Sequence, residues 1–182
     1  HDVIPICVGG DHTIALPILR AMHEKHGPVA VIHCDAHLDT WEEYLGSKYI
    51  HGTWFLRAVD EGLIQRNSTY QVGLRGQIYA EDDFEFSINN GFRMVTIEEL
   101  KAEGDRGIIE EFMRIEDIPV YVSFDIYCVD PAFASATGTP QIGGMDSFEA
   151  VSLVRGLKGL NIVGVDLMEV SPACDNAGIT SL

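Results

Sequence analysis

The sequence predicts a three-layer αβα domain on a mainly parallel sheet, and three observations predict it. Apolar runs with little polar alternation recur at 4–8, 29–34, 69–74, 93–96, 119–124 and 161–166, as expected of parallel strands covered on both faces. Helix-like patterns stand between them. Several of the runs end directly in acids or histidines, and an open α/β sheet gathers its functional groups beyond the carboxyl ends of its strands.

Taken in order, Ile4-Pro5-Ile6-Cys7-Val8 reads as a buried strand that passes into Gly9-Gly10-Asp11-His12. Ile14, Leu16, Ile18, Leu19 and Met22 suit a helix after His12. Val29-Ala30-Val31-Ile32 opens the second strand, which runs out into Asp35-Ala36-His37-Leu38-Asp39. Behind the fourth strand, Thr96 to Glu99 matches a capping box and starts a short helix, Ile97-Glu98-Glu99-Leu100. Ile108, Ile109, Phe112 and Ile115 form an apolar stripe. Val120-Tyr121-Val122-Ser123-Phe124 then leads into Asp125. The stretch 125–145, rich in Gly, Pro, Ser, Ala and Thr, has no periodic pattern and follows a strand directly, where functional loops belong. Phe148, Val151, Val154 and Leu157 form the last stripe.

With 182 residues, 46% of them hydrophobic, the chain suits one core, so residues 1–182 are assigned to a single domain. It has no initiating Met and stops at Ile179-Thr180-Ser181-Leu182 without closing an element, which reads as a fragment incomplete at both ends. A net charge of −16, from 28 acids against 12 bases, gives no electrostatic footprint for nucleic acid. The acids of 81–85 and of the stretch from Glu98 to Asp117 read as solvated faces. Cys7, Cys34, Cys128 and Cys174 are scattered without a Cys-x-x-Cys pair; Cys7 and Cys34 lie in expected buried strands and Cys128 just after one, which fits a reducing compartment better than a disulfide framework. No signal peptide or membrane-spanning run is visible; the expectation is the cytoplasm, with the mitochondrial matrix left open by the chain's start.

Asp35, His37 and Asp39 stand at alternate positions and could share one face as the strand runs out. Two carboxylates and an imidazole are a ligand set for a divalent cation. Alone, the motif reads equally as a solvated loop. Likewise Asp11 reads as a structural hydrogen-bonding acid, and His12 as a satisfied core histidine.

Combined with Ser123-Phe124-Asp125, Gly138-Thr139-Pro140 and Val165-Asp166-Leu167-Met168-Glu169-Val170-Ser171-Pro172, these motifs resemble the ureohydrolase family of arginases, agmatinases and related guanidino hydrolases. Within it the chain is most similar to agmatinases, through Asp39-Thr40-Trp41, His51-Gly52-Thr53-Trp54-Phe55 and the run 154–164. Thr40 stands where arginases usually carry Asn, which points away from arginine.

The resemblance implies two manganese ions, one on His12 and Asp39, the other on His37, with Asp35 and Asp125 bridging. His51 would be the catalytic proton shuttle and Glu169 the carboxylate that binds the guanidinium. Agmatine would yield putrescine and urea, with guanidinobutyrate or guanidinopropionate as rival substrates. A homotrimer or hexamer is implied, with no nucleic-acid or membrane partner. A missing N-terminal portion and last helix are implied too, so the fragment alone is expected to be poorly stable and inactive. Asp166 is read as supporting its strand terminus; His1, His23, His26 and His33 fit no family position.

Two departures fall in one loop. Tyr127 occupies the sixth ligand position, where the family has a second Asp, and Ser135-Ala136 replaces Pro-Gly. A phenol stays neutral to about pH 10 and cannot chelate as a carboxylate does. The His37-side ion is therefore expected to bind more weakly, and a catalytically impaired homologue is the alternative from another class.

Overall fold

Six strands form one parallel sheet in the computed structural model, which describes residues 3–78 and 82–182. They are β1 (Ile6–Val8), β2 (Ala30–Cys34), β3 (Tyr70–Leu74), β4 (Arg93–Thr96), β5 (Val120–Asp125) and β6 (Ile162–Met168), in the spatial order β1-β6-β5-β2-β3-β4. Every pairing is parallel. Among the described residues the α-helices are α1 (Ala15–His26), α2 (Trp54–Asp60), α3 (Glu85–Asn89), α4 (Ile97–Phe112) and α5 (Ser147–Gly156), with short 3-10 turns between elements. The expected α/β architecture and all six strand positions are observed.

The pleat divides the core in two. Ala30, Ile32 and Cys34 of β2 and Val120, Val122 and Phe124 of β5 pack with Leu100, Ile108 and Phe112 of α4 and Leu153 of α5. Val31 and Tyr121 point to the other face, against Leu16 and Leu19 of α1 and Trp54 and Phe55 of α2. Side chains alternate along each strand. Residues 33 and 123 therefore share the α1/α2 face, which is where the polar groups described below collect.

Several local expectations are corrected. β1 is an edge strand with β6 as its neighbour, and Ile6 and Val8 are 71% and 72% exposed, so it is not buried. On α5 the stripe Phe148, Val151 and Val154 faces outward; Ala150, Leu153 and Leu157 are the residues that bury. By contrast, the two helices expected between 97 and 115 are both present: Gly104, whose φ of 75° is non-helical, separates two helical segments within α4. Thr96 caps it by accepting from the Glu99 amide at 3.2 Å, but the Glu99 carboxylate goes to Arg93, not back to Thr96, so half of the capping box forms. Arg93 also holds Glu111 at 2.9 Å, so these two acids are ion-paired and not merely solvated. No helix was expected at α2, yet Trp54, Phe55, Ala58 and Val59 bury one face of it. His1 and residue 81 of the acidic run lie outside the described residues.

All four cysteines are unpaired. Among the described residues no helix is long and apolar enough to cross a membrane.

Gly156 sets how closely α5 approaches α4: a Cβ there would stand 2.2 Å from Ile109 Cδ1 and 2.5 Å from its Cγ1. Gly156→Ala is therefore expected to destabilise by about 1–3 kcal/mol through overpacking, against the gain of up to about 1 kcal/mol that the same change gives in an open helix. A lowered urea midpoint at unchanged m-value would show it.

Candidate metal centre

The site grows from a rank of polar side chains laid across the sheet one pleat below its carboxyl rim. Register places His33 beside Gln71 on one side and Ser123 on the other, and Ser123 beside Asp166. All four are buried. Such groups are tolerated inside a domain only when they satisfy one another. Tyr121 and Ser123 both donate hydroxyl protons to Asp166, the latter at 2.8 Å. Asp166 thus anchors a buried network within β6 and does more than end its strand.

His12 stands over this rank. It opens a short 3-10 turn, His12–Ile14, capped by Asp11, whose carboxylate accepts from the Thr13 amide at 2.8 Å. That is the structural role expected of Asp11. His12 is fully buried, with Nε2 2.7 Å from Ser123 Oγ. Because the Ser123 proton goes to Asp166, Ser123 accepts from Nε2–H, which leaves the lone pair on Nδ1. Nδ1 faces three carboxylate oxygens: Asp125 Oδ2 at 2.8 Å, Asp39 Oδ2 at 3.3 Å and Asp35 Oδ2 at 3.7 Å.

Asp35, His37 and Asp39 reach the site differently from the alternation expected. β2 ends at Cys34, so 35–39 is a turn. Asp35 Oδ1 accepts from the His37 amide at 2.9 Å, and Asp39 adopts a left-handed φ of 55°. The turn aims Asp35 and Asp39 at His12 and carries His37 to the far side of Asp35, its Nδ1 3.2 Å from Asp35 Oδ1. Trp54 Nε1 donates to Asp39 Oδ2 at 2.7 Å. Donor atoms of His12, His33, Asp35 and Asp39 lie within 4.8 Å of one another; His37 and Asp125 are outside that group, Asp125 meeting it through His12.

Electrostatically the cluster is acidic. Burial, then the nearby Asp35 charge, pushes the carboxyls of Asp39 and Asp125 well above the usual carboxylate range. Burial works the same way on Asp35, but hydrogen bonds from His33 and His37 outweigh it and hold that group below its ordinary value. Burial, reinforced by His33, lowers His12 to about 3, so its imidazole is neutral. A neutral nitrogen lone pair facing three buried carboxylates is repulsive unless a proton or a cation lies among them. Oxygen donors with imidazole are the donor chemistry of a hard divalent ion. The residues therefore fit one.

A cavity of about 230 Å³ opens above the cluster. His12, Asp39 and Asp125 form part of its floor; Trp41, Tyr44 and His51, Tyr127 and the 139–141 loop, and Glu169 also line it. No Lys or Arg does so among the described residues. Glu169 Oε1 accepts from the His12 amide at 2.7 Å, and burial raises its carboxyl above the usual range. His51 is partly exposed, its Nδ1 4.0 Å from Asp11 Oδ2. The Tyr127 hydroxyl donates to Glu169 Oε2 at 3.0 Å and accepts from the Thr139 amide at 2.9 Å, while burial pushes the phenol up to about 12.

Two residues of this centre were passed over in the sequence. His33 was set aside, yet its Nε2 is 3.1 Å from Asp35 Oδ2 and its Nδ1 is buried without a partner. Arg75 follows β3 at the same rim. Its guanidinium donates to the carbonyls of Tyr127 at 2.8 Å, Gln141 at 2.7 Å and Ile142 at 3.0 Å, which pins both ends of the loop that carries Tyr127. A cation directly after a buried strand was the available signal. Asp130 fills the turn role expected of it, accepting from Ala132, Gly143 and Gly144 amides.

A parallel sheet that gathers buried acids and imidazoles at its carboxyl rim defines an α/β protein with a divalent-cation donor set. More narrowly, the chain belongs to the arginase family, whose model matches residues 1–182. It is 46% identical over 183 residues to a guanidinobutyrase of Pseudomonas aeruginosa, covering 100% of this chain and 57% of that protein. It is 47% identical over 180 residues to the mitochondrial agmatinase of Gallus gallus, covering 98% and 53% respectively. The proclavaminate amidino hydrolase of Streptomyces clavuligerus superposes with a TM-score of 0.92 at 44% identity, over 97% of this chain and 59% of that one. The chain thus spans about half the length of the curated relatives it matches.

Two outcomes test this description. Asp125→Asn would give His12 Nδ1 an amide donor and remove a charge, so the metal-free protein should gain on the order of 1 kcal/mol while its affinity for Mn2+ falls steeply. The raised carboxyl makes the natural chain lose stability as pH climbs through the folded value, so that gain should grow with pH. Thermal unfolding with and without Mn2+ at two pH values reads both. Arg75→Met should destabilise by about 2–3 kcal/mol, and Arg75→Lys should recover only part of it, because an ammonium cannot fork among several carbonyls.

Proposed function

We propose that this protein hydrolyses a guanidino compound to urea and an amine, that its cofactor is manganese, and that its substrate is agmatine. The observation that carries the reading is the approach of Asp35, Asp39 and Asp125 to His12 Nδ1, with Glu169 bound to the His12 amide. Hard oxygen and imidazole donors suit manganese. No thiolate competes, because burial pushes Cys34 up to about 12 and raises Cys128 as well. His12, Asp35, Asp39 and Asp125 would hold the ion, with His37 beside Asp35. When bound, such a cation supplies Lewis acidity and makes water a stronger acid at neutral pH.

The chain's own groups supply the rest. Glu169 pairs with the planar guanidinium and turns its carbon toward the cluster. Water adds to that carbon, the bond to the alkyl-bearing nitrogen breaks, and the amine departs with a proton. His51, at the mouth, delivers that proton; imidazole can take and give one near neutral pH. A distal ammonium suits a cavity that no Lys or Arg lines among the described residues better than a distal carboxylate does in so acidic a chain, which favours agmatine over guanidinobutyrate. The guanidinobutyrase and agmatinase relatives stand at nearly equal identity and do not separate the two. A homo-oligomer in the cytoplasm or the mitochondrial matrix completes the proposal; one relative's name places it in the mitochondrion.

One observation favours a second reading, an impaired homologue: the Tyr127 hydroxyl already occupies Glu169 Oε2. Urea release with Mn2+ decides. The expected outcome is turnover of agmatine above guanidinobutyrate, a loss of about 10²–10⁴-fold in kcat for His51→Ala, and a raised KM for Glu169→Gln. Metal uptake without urea from either compound would establish the impaired reading.

A further inference from the structure

The phenol at position 127 has a definite place. Its proton goes to Glu169 and a lone pair takes the Thr139 amide, so the oxygen is committed to the substrate-side carboxylate and the loop. Gly138 makes room for it: a Cβ there would stand 2.9 Å from the hydroxyl. The ring lies edge-on to His37, centroids 5.0 Å apart.

That leaves the two sides of the cluster unequal. On the His12 side, one imidazole nitrogen and three carboxylate oxygens converge within 3.7 Å of Nδ1. On the His37 side stand His37 and Asp35 Oδ1, 3.2 Å apart. The second Asp125 oxygen is taken by the Tyr127 amide at 2.8 Å, and the Gln141 amide lies 3.5 Å from His37 Nε2. A small divalent ion asks for about six oxygen or nitrogen donors, several of them anionic. One side offers a core of such a shell and the other does not.

Resting on the function proposed above, we infer that this chain holds one divalent cation, on His12, Asp35, Asp39 and Asp125, and that Tyr127 is a positioning residue standing where a ligand to a second ion would be. It fixes the free oxygen of Glu169 and ties the 137–141 segment to it. The substrate's guanidinium is then oriented by a hydrogen-bonded carboxylate beside a single ion.

The test is to count ions. Purified protein saturated with Mn2+ and freed of excess is weighed by native mass spectrometry and analysed for manganese. The natural chain should carry one ion, Tyr127→Phe one, and Tyr127→Asp two. Tyr127→Phe should also raise KM for the guanidino substrate about tenfold with its ion count unchanged, an effect that ligand loss would not produce. Two ions on the natural chain, or one on a folded Tyr127→Asp variant, would overturn the inference. Two ions with urea release leave the proposed hydrolase standing, whereas no bound ion removes both. Circular dichroism reports folding, and the count on the natural chain decides even where the aspartate variant does not fold.

Discussion

Three buried carboxylates held within 3.7 Å of one neutral imidazole nitrogen are the constraint around which this structure is arranged. Like charges in a poorly solvated place repel strongly, and the basic groups beside them, His33 and His37, both reach Asp35. Such an arrangement persists only because the surroundings over-determine it. The Trp54 indole holds Asp39, the Tyr127 amide holds Asp125, and two histidines and a turn hold Asp35. Each acid is pinned separately, Asp35 and Asp125 by groups two residues away and Asp39 by a side chain fifteen residues on, so none can swing away to relieve the others.

The support beneath is equally ordered. Gln71, His33, Ser123 and Asp166 lie in one rank across four strands, a polar seam through a sheet otherwise sealed by aliphatic side chains. Its hydrogen bonds run toward Asp166 and set which nitrogen of His12 carries the proton. A seam of this kind gives up apolar burial in exchange for orientation, the usual trade-off at functional sites. It also explains why β2, β5 and β6 occupy the middle of the sheet: each contributes a residue to it, and each is covered there.

Much of this was legible before any coordinates. Strand positions followed from uninterrupted apolar runs, which only doubly covered parallel strands need. The residues that meet at the rim were found because their motifs resemble one family's, although their actual approach was not foreseen: Asp35, His37 and Asp39 sit on a turn with a left-handed residue, not on a pleat. What stayed hidden was hidden for physical reasons. The face on which α5 packs could not be read, because Phe148 and Val151 are as apolar as Leu153 and periodicity carries no direction. β1 looked buried because composition cannot distinguish an edge. Arg75 looked like a surface charge, since nothing local announces that a guanidinium will be surrounded by carbonyls from residues fifty positions further on.

Glycine at 138 has a consequence for what position 127 can hold. It belongs to the Gly138-Thr139-Pro140 motif, and the space it leaves is where the tyrosine hydroxyl fits. The two positions are related as key and keyway: any side chain at 138 would press on that oxygen, so the phenol keeps its place only while 138 stays bare.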